Sequence, residues 1–272
     1  MDIKDRVALV TGAASGIGSA VAMELAWRGV RAIALVDMSE RIGDVAAQIK
    51  ARHPDAVLEC FKGNVTDEEF RRDVYDTMDR KYGLVSICIP AAGITRDSLA
   101  IKVNKTTAKA EMYSVDLFRL VTEVDLIAPI YWSMEMVARI AERRFGQALK
   151  RWTPAEPISG VVIFIGSVSS QGNKGQIAYA ASKAGLEGAA ATLTKEAMFY
   201  GIRCGVIHPG FTDTPMVRAL GDDYIQKYIL PETQLGRLVR PEEIADAICF
   251  MISNSAISGE LWADAGWHPS PA

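Results

Sequence analysis

Cysteine is scarce. The 272-residue chain carries four, Cys60, Cys88, Cys204 and Cys249, no two of them close and none in a C-x-x-C. That pattern argues against a disulfide framework or a thiolate metal ribbon, and the expectation is buried apolar thiols in a reducing compartment. Histidine is scarcer: His53, His208 and His268 are scattered, with no H-E-x-x-H and no ligand spacing. Each is read as a structural histidine, and no metal is expected. There is no G-x-S-x-G elbow, so a hydrolase triad lacks its local signature. No apolar run approaches the ~20 residues of a membrane helix. Neither charge sign is in large excess: 30 basic against 33 acidic residues leave a formal charge of -3. That balance gives no electrostatic case for nucleic acid or for an anionic membrane as partner. The opening MDIKDRVALV meets its first apolar run at once and lacks a signal-peptide pattern, so a cytoplasmic protein is expected. The sequons at Asn64 and Asn104 are then read as accidental.

What is present is alternation. With 49% hydrophobic and 23% charged residues the chain is globular. Strand-like runs at 6–12, 32–37, 56–63, 84–89, 160–167, 202–210 and 259–267 alternate with helical patterns at 18–29, 41–52, 67–83, 111–144, 179–201 and 241–253. Ser39 is a candidate cap, Pro129 a candidate break and Pro241 a candidate first helical residue. Repeated β-α units predict an α/β fold: a doubly wound, Rossmann-type parallel sheet of about seven strands with helices on both faces, in three layers. No linker or repeat interrupts residues 1–272, so one domain is expected.

The first strand runs into Thr11-Gly12-Ala13-Ala14-Ser15-Gly16-Ile17-Gly18, where a helix opens. Gly12 permits a tight turn, Gly16 allows backbone to approach a pyrophosphate, and Gly18 allows close helix–strand packing. Free N–H groups and the helix dipole then face phosphate. Asp37, 19 residues after Gly18, ends the second strand, where a carboxylate can bind ribose hydroxyls and repel a 2′-phosphate. Met38 follows it, and the loop carries Ser15 rather than a basic residue. These cues predict NAD over NADP.

Tyr179 and Lys183 share one helical face in YAASK. A phenol titrates near ~10, so it needs help to exchange protons at neutral pH. A nearby ammonium and the positive nicotinium favour tyrosinate. Ser167, twelve residues before Tyr179, is placed to hydrogen-bond a substrate oxygen.

TGAASGIG, GSVSSQGNKGQIAYAASK and HPGFTDTPM in this order make the chain resemble the short-chain dehydrogenase/reductase family over essentially its whole length. GITRDS, GRLVRPEEIADAICFM and ADAGW bring it nearest the 3-oxoacyl-thioester reductase branch. The resemblance implies hydride transfer between NAD(H) and a secondary alcohol or ketone, such as a 3-oxoacyl or other apolar carbonyl compound. It implies Tyr179 as acid/base, Lys183 as its tuner and ribose ligand, and Ser167 as the substrate-orienting hydroxyl. The cofactor would lie against Gly12, Ser15, Gly16, Ile17, Gly18, Asp37, Asn64, Val65, Ala92, Gly93, Tyr179, Lys183, Pro209, Gly210, Thr212 and Thr214. Asn64 and Val65 would flank the adenine, and Thr214 the nicotinamide carboxamide.

Three departures stand out. The chain has Pro90-Ala91-Ala92-Gly93 where the family usually has Asn-Asn-Ala-Gly, which removes side chains that brace the sheet. Asp125 replaces the family's fourth catalytic residue, an Asn. Residues 102–112 and 146–158 look like added length, and 253–258 looks shortened. Pro90, Ala91 and Asp125 suggest an alternative, a non-catalytic dinucleotide sensor or scaffold, against which Ser167, Tyr179 and Lys183 argue. A substrate loop is expected at about 211–236, with Tyr224, Tyr228, Ile229 and Leu230 either lining an apolar pocket or packing the loop down. The apolar helix near 127–140 and the small-residue helix after Tyr179 predict a homo-oligomer, a dimer or tetramer.

Overall fold

Apolar runs of five or six residues bounded by glycine or charge fold here as buried parallel strands. In the computed structural model residues 1–267 are described, and His268 lies outside them. The first half contains β1 (Val7–Thr11), α1 (Gly16–Trp27), β2 (Ala32–Asp37), α2 (Ile42–Arg52), β3 (Leu58–Lys62), α3 (Glu68–Tyr82) and β4 (Val85–Pro90). A short antiparallel hairpin follows, β5 (Ile101–Val103) with β6 (Ala110–Met112). Then come α4 (Val115–Thr122), a π turn (Glu123–Ile127), α5 (Ala128–Gly146), β7 (Gly160–Ile165), α6 (Ile177–Glu196) and β8 (Ile202–Pro209). The chain ends through the short helices α7 (Pro215–Arg218) and α8 (Asp222–Tyr224), then α9 (Pro241–Ser253) and β9 (Gly259–Ala263).

The main sheet has seven strands in the order β3-β2-β1-β4-β7-β8-β9, all pairs parallel. Strand alternation splits the core in two. Ala8 and Val10 face α1, α2 and α9, while Val7 and Leu9 face α3, α5 and α6. The second layer is anchored by Trp132, fully buried, whose Nε1 donates to Val65 O at 2.8 Å and whose carbonyl accepts from Tyr75 Oη at 2.6 Å. Each such large apolar side chain contributes about 1.5–3 kcal/mol on burial. Strand order reverses between β1 and β4, which opens a crevice at their carboxyl ends.

Helix ends follow local chemistry. Asp67 caps α3 by accepting the Phe70 N–H at 3.1 Å, Glu68 and Glu69 sit in its first turn, and Arg80 and Lys81 in its last. Pro241 occupies the opening of α9, as its sequence suggested. Ser39 does not cap α2 directly. Arg41 is the N-cap, and the Ser39 hydroxyl accepts the Arg41 N–H at 3.2 Å.

Two expectations are made specific and one needs correction. The break near Pro129 takes the form of a π turn just upstream, followed at once by α5. Proline lacks the N–H that would extend an α-helical ladder, and the wider turn takes up the misfit. The added length at 102–112 is largely the β5–β6 hairpin, whose Ile101, Val103 and Met112 are exposed. Three of the four cysteines are buried, but Cys60 is exposed on β3, an edge strand with one covered side fewer.

Candidate active site

The glycine loop is folded as its residues demand. Gly12 and Gly16 have φ of +65° and +55°, a region costly for a residue with a Cβ. A Cβ on Gly12 would come within 2.8 Å of Ala91 O, and one on Gly18 would overlap Gly12 O. The loop is also braced in a way the sequence reading did not anticipate. Asp37 Oδ2 accepts the Ala14 N–H at 3.0 Å, and its Oδ1 accepts the Ser39 N–H at 2.9 Å. Where the family's asparagines are missing, the Thr11 hydroxyl accepts the Ala92 N–H at 3.0 Å and ties β1 to β4.

A cleft of about 610 Å³ lies along this crevice. Of the residues predicted to hold a cofactor, Gly12, Ser15, Gly16, Ile17, Gly18, Asp37, Asn64, Val65, Ala92, Gly93, Tyr179, Lys183 and Thr214 line it. Pro209, Gly210 and Thr212 line an adjoining pocket with Ser167, and Ile17, Tyr179, Thr214 and Met216 belong to both. The backbone cradle that side chains would fill, the carboxylate at the end of β2 and the loop at the start of α1 fit a dinucleotide.

Where the two pockets meet, β7 delivers Ser167 and α6 delivers Tyr179 and Lys183. Ser167 is buried, and its Oγ accepts the Ser169 N–H at 3.1 Å. Lys183, 4% exposed, donates from Nζ to Ile165 O at 3.0 Å and lies 5.4 Å from the centre of the Tyr179 ring. Asp125, on the π turn, is fully buried. Its Oδ1 accepts the Ile94 N–H at 2.9 Å, and its Oδ2 lies 3.5 Å from Lys183 Nζ. A Cβ on Gly93 would reach within 3.0 Å of Asp125 Oδ2, so Gly93 makes room for this pair.

The electrostatics differ from the simple expectation of a depressed phenol. Burial pushes the Tyr179 pKa above its ordinary value. Lys183 and a hydrogen bond with Ser167 oppose that rise, while Asp125 and Asp97 add to it. Burial likewise raises the Asp125 pKa, against the pull of Lys183 and of the Ile94 N–H.

Further residues at the pocket mouth went unread in the sequence. Gln176 Nε2 donates to Asp97 Oδ2 at 2.9 Å, and its Oε1 accepts the Ser169 hydroxyl at 2.8 Å. The only signal for Asp97 was its place in GITRDS. Of the two readings of the loop at 211–236, packing holds for its isoleucines. Ile225 and Ile229 are buried together with Leu238, and Tyr224 and Tyr228 are exposed, 5.1 Å apart. Phe211, Met216, Val217 and Leu220 supply the apolar wall instead.

The sequence matches the family described as Enoyl-(Acyl carrier protein) reductase over residues 12–268. The chain therefore belongs to the short-chain dehydrogenase/reductase family. It is an oxidoreductase that moves hydride between a nicotinamide cofactor and a secondary alcohol or ketone. It is 34% identical over 263 residues to the 3-oxoacyl-(acyl-carrier-protein) reductase FabG of Escherichia coli strain K12, and 33% identical to that of Salmonella typhimurium. In both cases 96% of each chain is covered. The FabG of Thermotoga maritima is 31% identical over 264 residues, again with 96% of each chain covered. A short-chain type dehydrogenase/reductase from Mycobacterium marinum has the same fold, with a TM-score of 0.82 at 22% identity over 98% of this chain and 96% of that one. No helix among the described residues is long and apolar enough to cross a membrane.

Proposed function

We propose that the protein is an NAD(H)-dependent reductase of an apolar ketone of the 3-oxoacyl-thioester type, with Tyr179 as proton donor. The observation that carries this reading is the meeting of Ser167, Tyr179 and Lys183 at the junction of the dinucleotide cleft and an apolar pocket. The bound nicotinamide would supply or accept the hydride at the carbonyl carbon. Ser167 Oγ accepts the Ser169 N–H, and its own O–H, which bonds Tyr179 in the free protein, would turn to the substrate oxygen. Tyr179 gives its proton to that oxygen as the alkoxide forms. Lys183 uses one N–H on Ile165 O, and its remaining donors can reach a ribose while its charge favours tyrosinate. Asp125 holds Lys183 from behind as a positioning residue. The non-catalytic alternative has no support from the relatives.

Preference for NAD(H) is supported by Asp37. Each of its oxygens keeps a lone pair after binding Ala14 and Ser39, and the carboxylate repels a 2′-phosphate. Met38, 65% exposed, follows it. Gly12, Ser15, Gly16, Ile17, Gly18 and Thr214 would hold the phosphates and nicotinamide, with Asn64 and Val65 at the adenine. The 3-oxoacyl class is supported by the Phe211, Met216, Val217 and Leu220 wall and by the names of the relatives. Exposed Tyr131 and Met134 on α5 support a homo-oligomer. The test is NADH and NADPH consumption with a panel of 3-oxoacyl thioesters and simple ketones. Absence of turnover with every ketone would remove the reading, and tighter NADPH binding would overturn the cofactor assignment.

A further inference from the structure

On the α6 side of β8 and β9, outside the cleft, three donor atoms converge that no part of the reaction uses. His208 on β8 is fully buried, and its Nδ1 lies 3.2 Å from the carbonyl oxygen of Ser167. A carbonyl only accepts, so Nδ1 carries a proton, and when the ring holds that proton alone Nε2 presents a lone pair. Trp262 stacks on the imidazole at 4.2 Å with a 15° interplanar angle and fixes its plane. Nε2 points at two carboxylates: Glu260 Oε2 at 3.4 Å and Glu187 Oε1 at 3.8 Å. Both distances exceed a hydrogen bond. Among the described residues, neither His208 Nε2 nor Glu187 Oε1 has a hydrogen-bond partner. Three electron-rich atoms thus face one another within 4.8 Å, an arrangement that calls for positive charge between them.

We propose that Glu187, His208 and Glu260 form a site for a divalent transition cation of the zinc class. Metal–ligand bonds of about 2.0–2.2 Å place tetrahedral ligand atoms roughly 3.4 Å apart. Nε2 already stands at that distance from Glu260 Oε2 and a few tenths of an ångström further from Glu187 Oε1. One imidazole with two carboxylates suits zinc, cobalt or manganese, whereas magnesium and calcium favour all-oxygen sets. The Nδ1–H bond to Ser167 O is the outer bond that orients a metal-binding histidine. Glu260, whose side chain is 40% exposed, leaves an entry path and a fourth position for water. The sequence hides the set because Glu187, His208 and Glu260 come from three separate elements. A cation here would brace the backbone of Ser167 from behind.

Calorimetric titration of the metal-stripped full chain with ZnCl₂, and visible absorbance with CoCl₂, test the site. One equivalent should bind per chain, Co²⁺ should show the absorption of a low-coordinate N/O site, and Zn²⁺ but not Mg²⁺ should raise the melting temperature. Loss of an outer-shell partner weakens metal binding about 10–100-fold. Glu187→Gln and Glu260→Gln, each removing a direct ligand from a partly exposed position, should cost no less while the proteins stay folded. Lack of one-equivalent binding, or unchanged affinity in both variants, overturns the proposal. So does a melting temperature that responds to pH and to both Glu variants but not to Zn²⁺, because that result assigns a proton to the site.

Discussion

Asp125 Oδ2 lies 3.5 Å from Lys183 Nζ, with both side chains almost wholly out of water. The lysine that should lower the pKa of Tyr179 therefore carries its own counter-charge, and that counter-charge pushes Tyr179 the other way. An asparagine there would orient Lys183 without the repulsion.

Asp125→Asn should retain activity and move the alkaline-rising limb of alcohol oxidation to lower pH. Removing the carboxylate removes one cause of the raised Tyr179 pKa, so tyrosinate forms earlier as pH rises. The new side chain can still accept the Ile94 N–H. A pH–rate profile of the two proteins checks this; a limb that stays put or moves to higher pH means that Asp125 does not act on Tyr179.

Tyr179→Phe should lower turnover by about 10²–10⁴-fold, the usual worth of a positioned acid or base, while cofactor binding persists. Lys183→Met should weaken both. Stopped-flow turnover and cofactor fluorescence separate the two effects. Near-normal rates in Tyr179→Phe would remove the phenol from the mechanism.

Asp37→Ala should narrow the proposed preference for NADH over NADPH and also loosen the glycine loop, because the Ala14 N–H loses its acceptor. One such hydrogen bond is worth about 1 kcal/mol. Paired titrations with both cofactors, beside thermal melts of the free protein, report the two consequences independently.

Glu243 gives a pH dependence of stability. Arg237, then the Arg240 N–H, hold its pKa down to about 2. A folded-state pKa below the unfolded value near ~4.3 stabilises above that unfolded value, and the gain is lost as pH falls toward 2. Melting temperatures of the native protein and Glu243→Gln should differ at pH 7 and converge in this acid window. The pair is partly exposed, so added salt should shrink the difference.

The scaffold was legible because its signals are local. Runs such as VALVT and AIALVD can only be satisfied inside a parallel sheet, and Gly12, Gly16 and Gly18 mark a turn that admits no side chain. The Tyr179–Lys183 pair was legible because four residues make one helical turn. What stayed hidden depends on distant segments. Asp97 meets Gln176 only after folding, and Asp37 reaches the Ala14 N–H across two strands. Ile229 was open to two readings because apolar residues on a loop read the same whether they face a ligand or each other. Packing against Ile225 and Leu238 decided the matter.

The π turn at Glu123–Ile127 has a bearing on how the chain can change. Such a turn holds one residue more than an α-helix needs, and each residue of an α-helix advances the face by about 100°. Deleting one residue within it would let α4 run into α5 as an unbroken helix. The Trp132, Met136 and Ile140 face could keep its seat under the sheet, while Asp125 would rotate away from Lys183. A shortening of one residue, ordinarily ruinous inside a long helix, is therefore the smallest lesion that uncouples the buried carboxylate from the site. The same step in reverse, an insertion, is a route by which a plain helix acquires one.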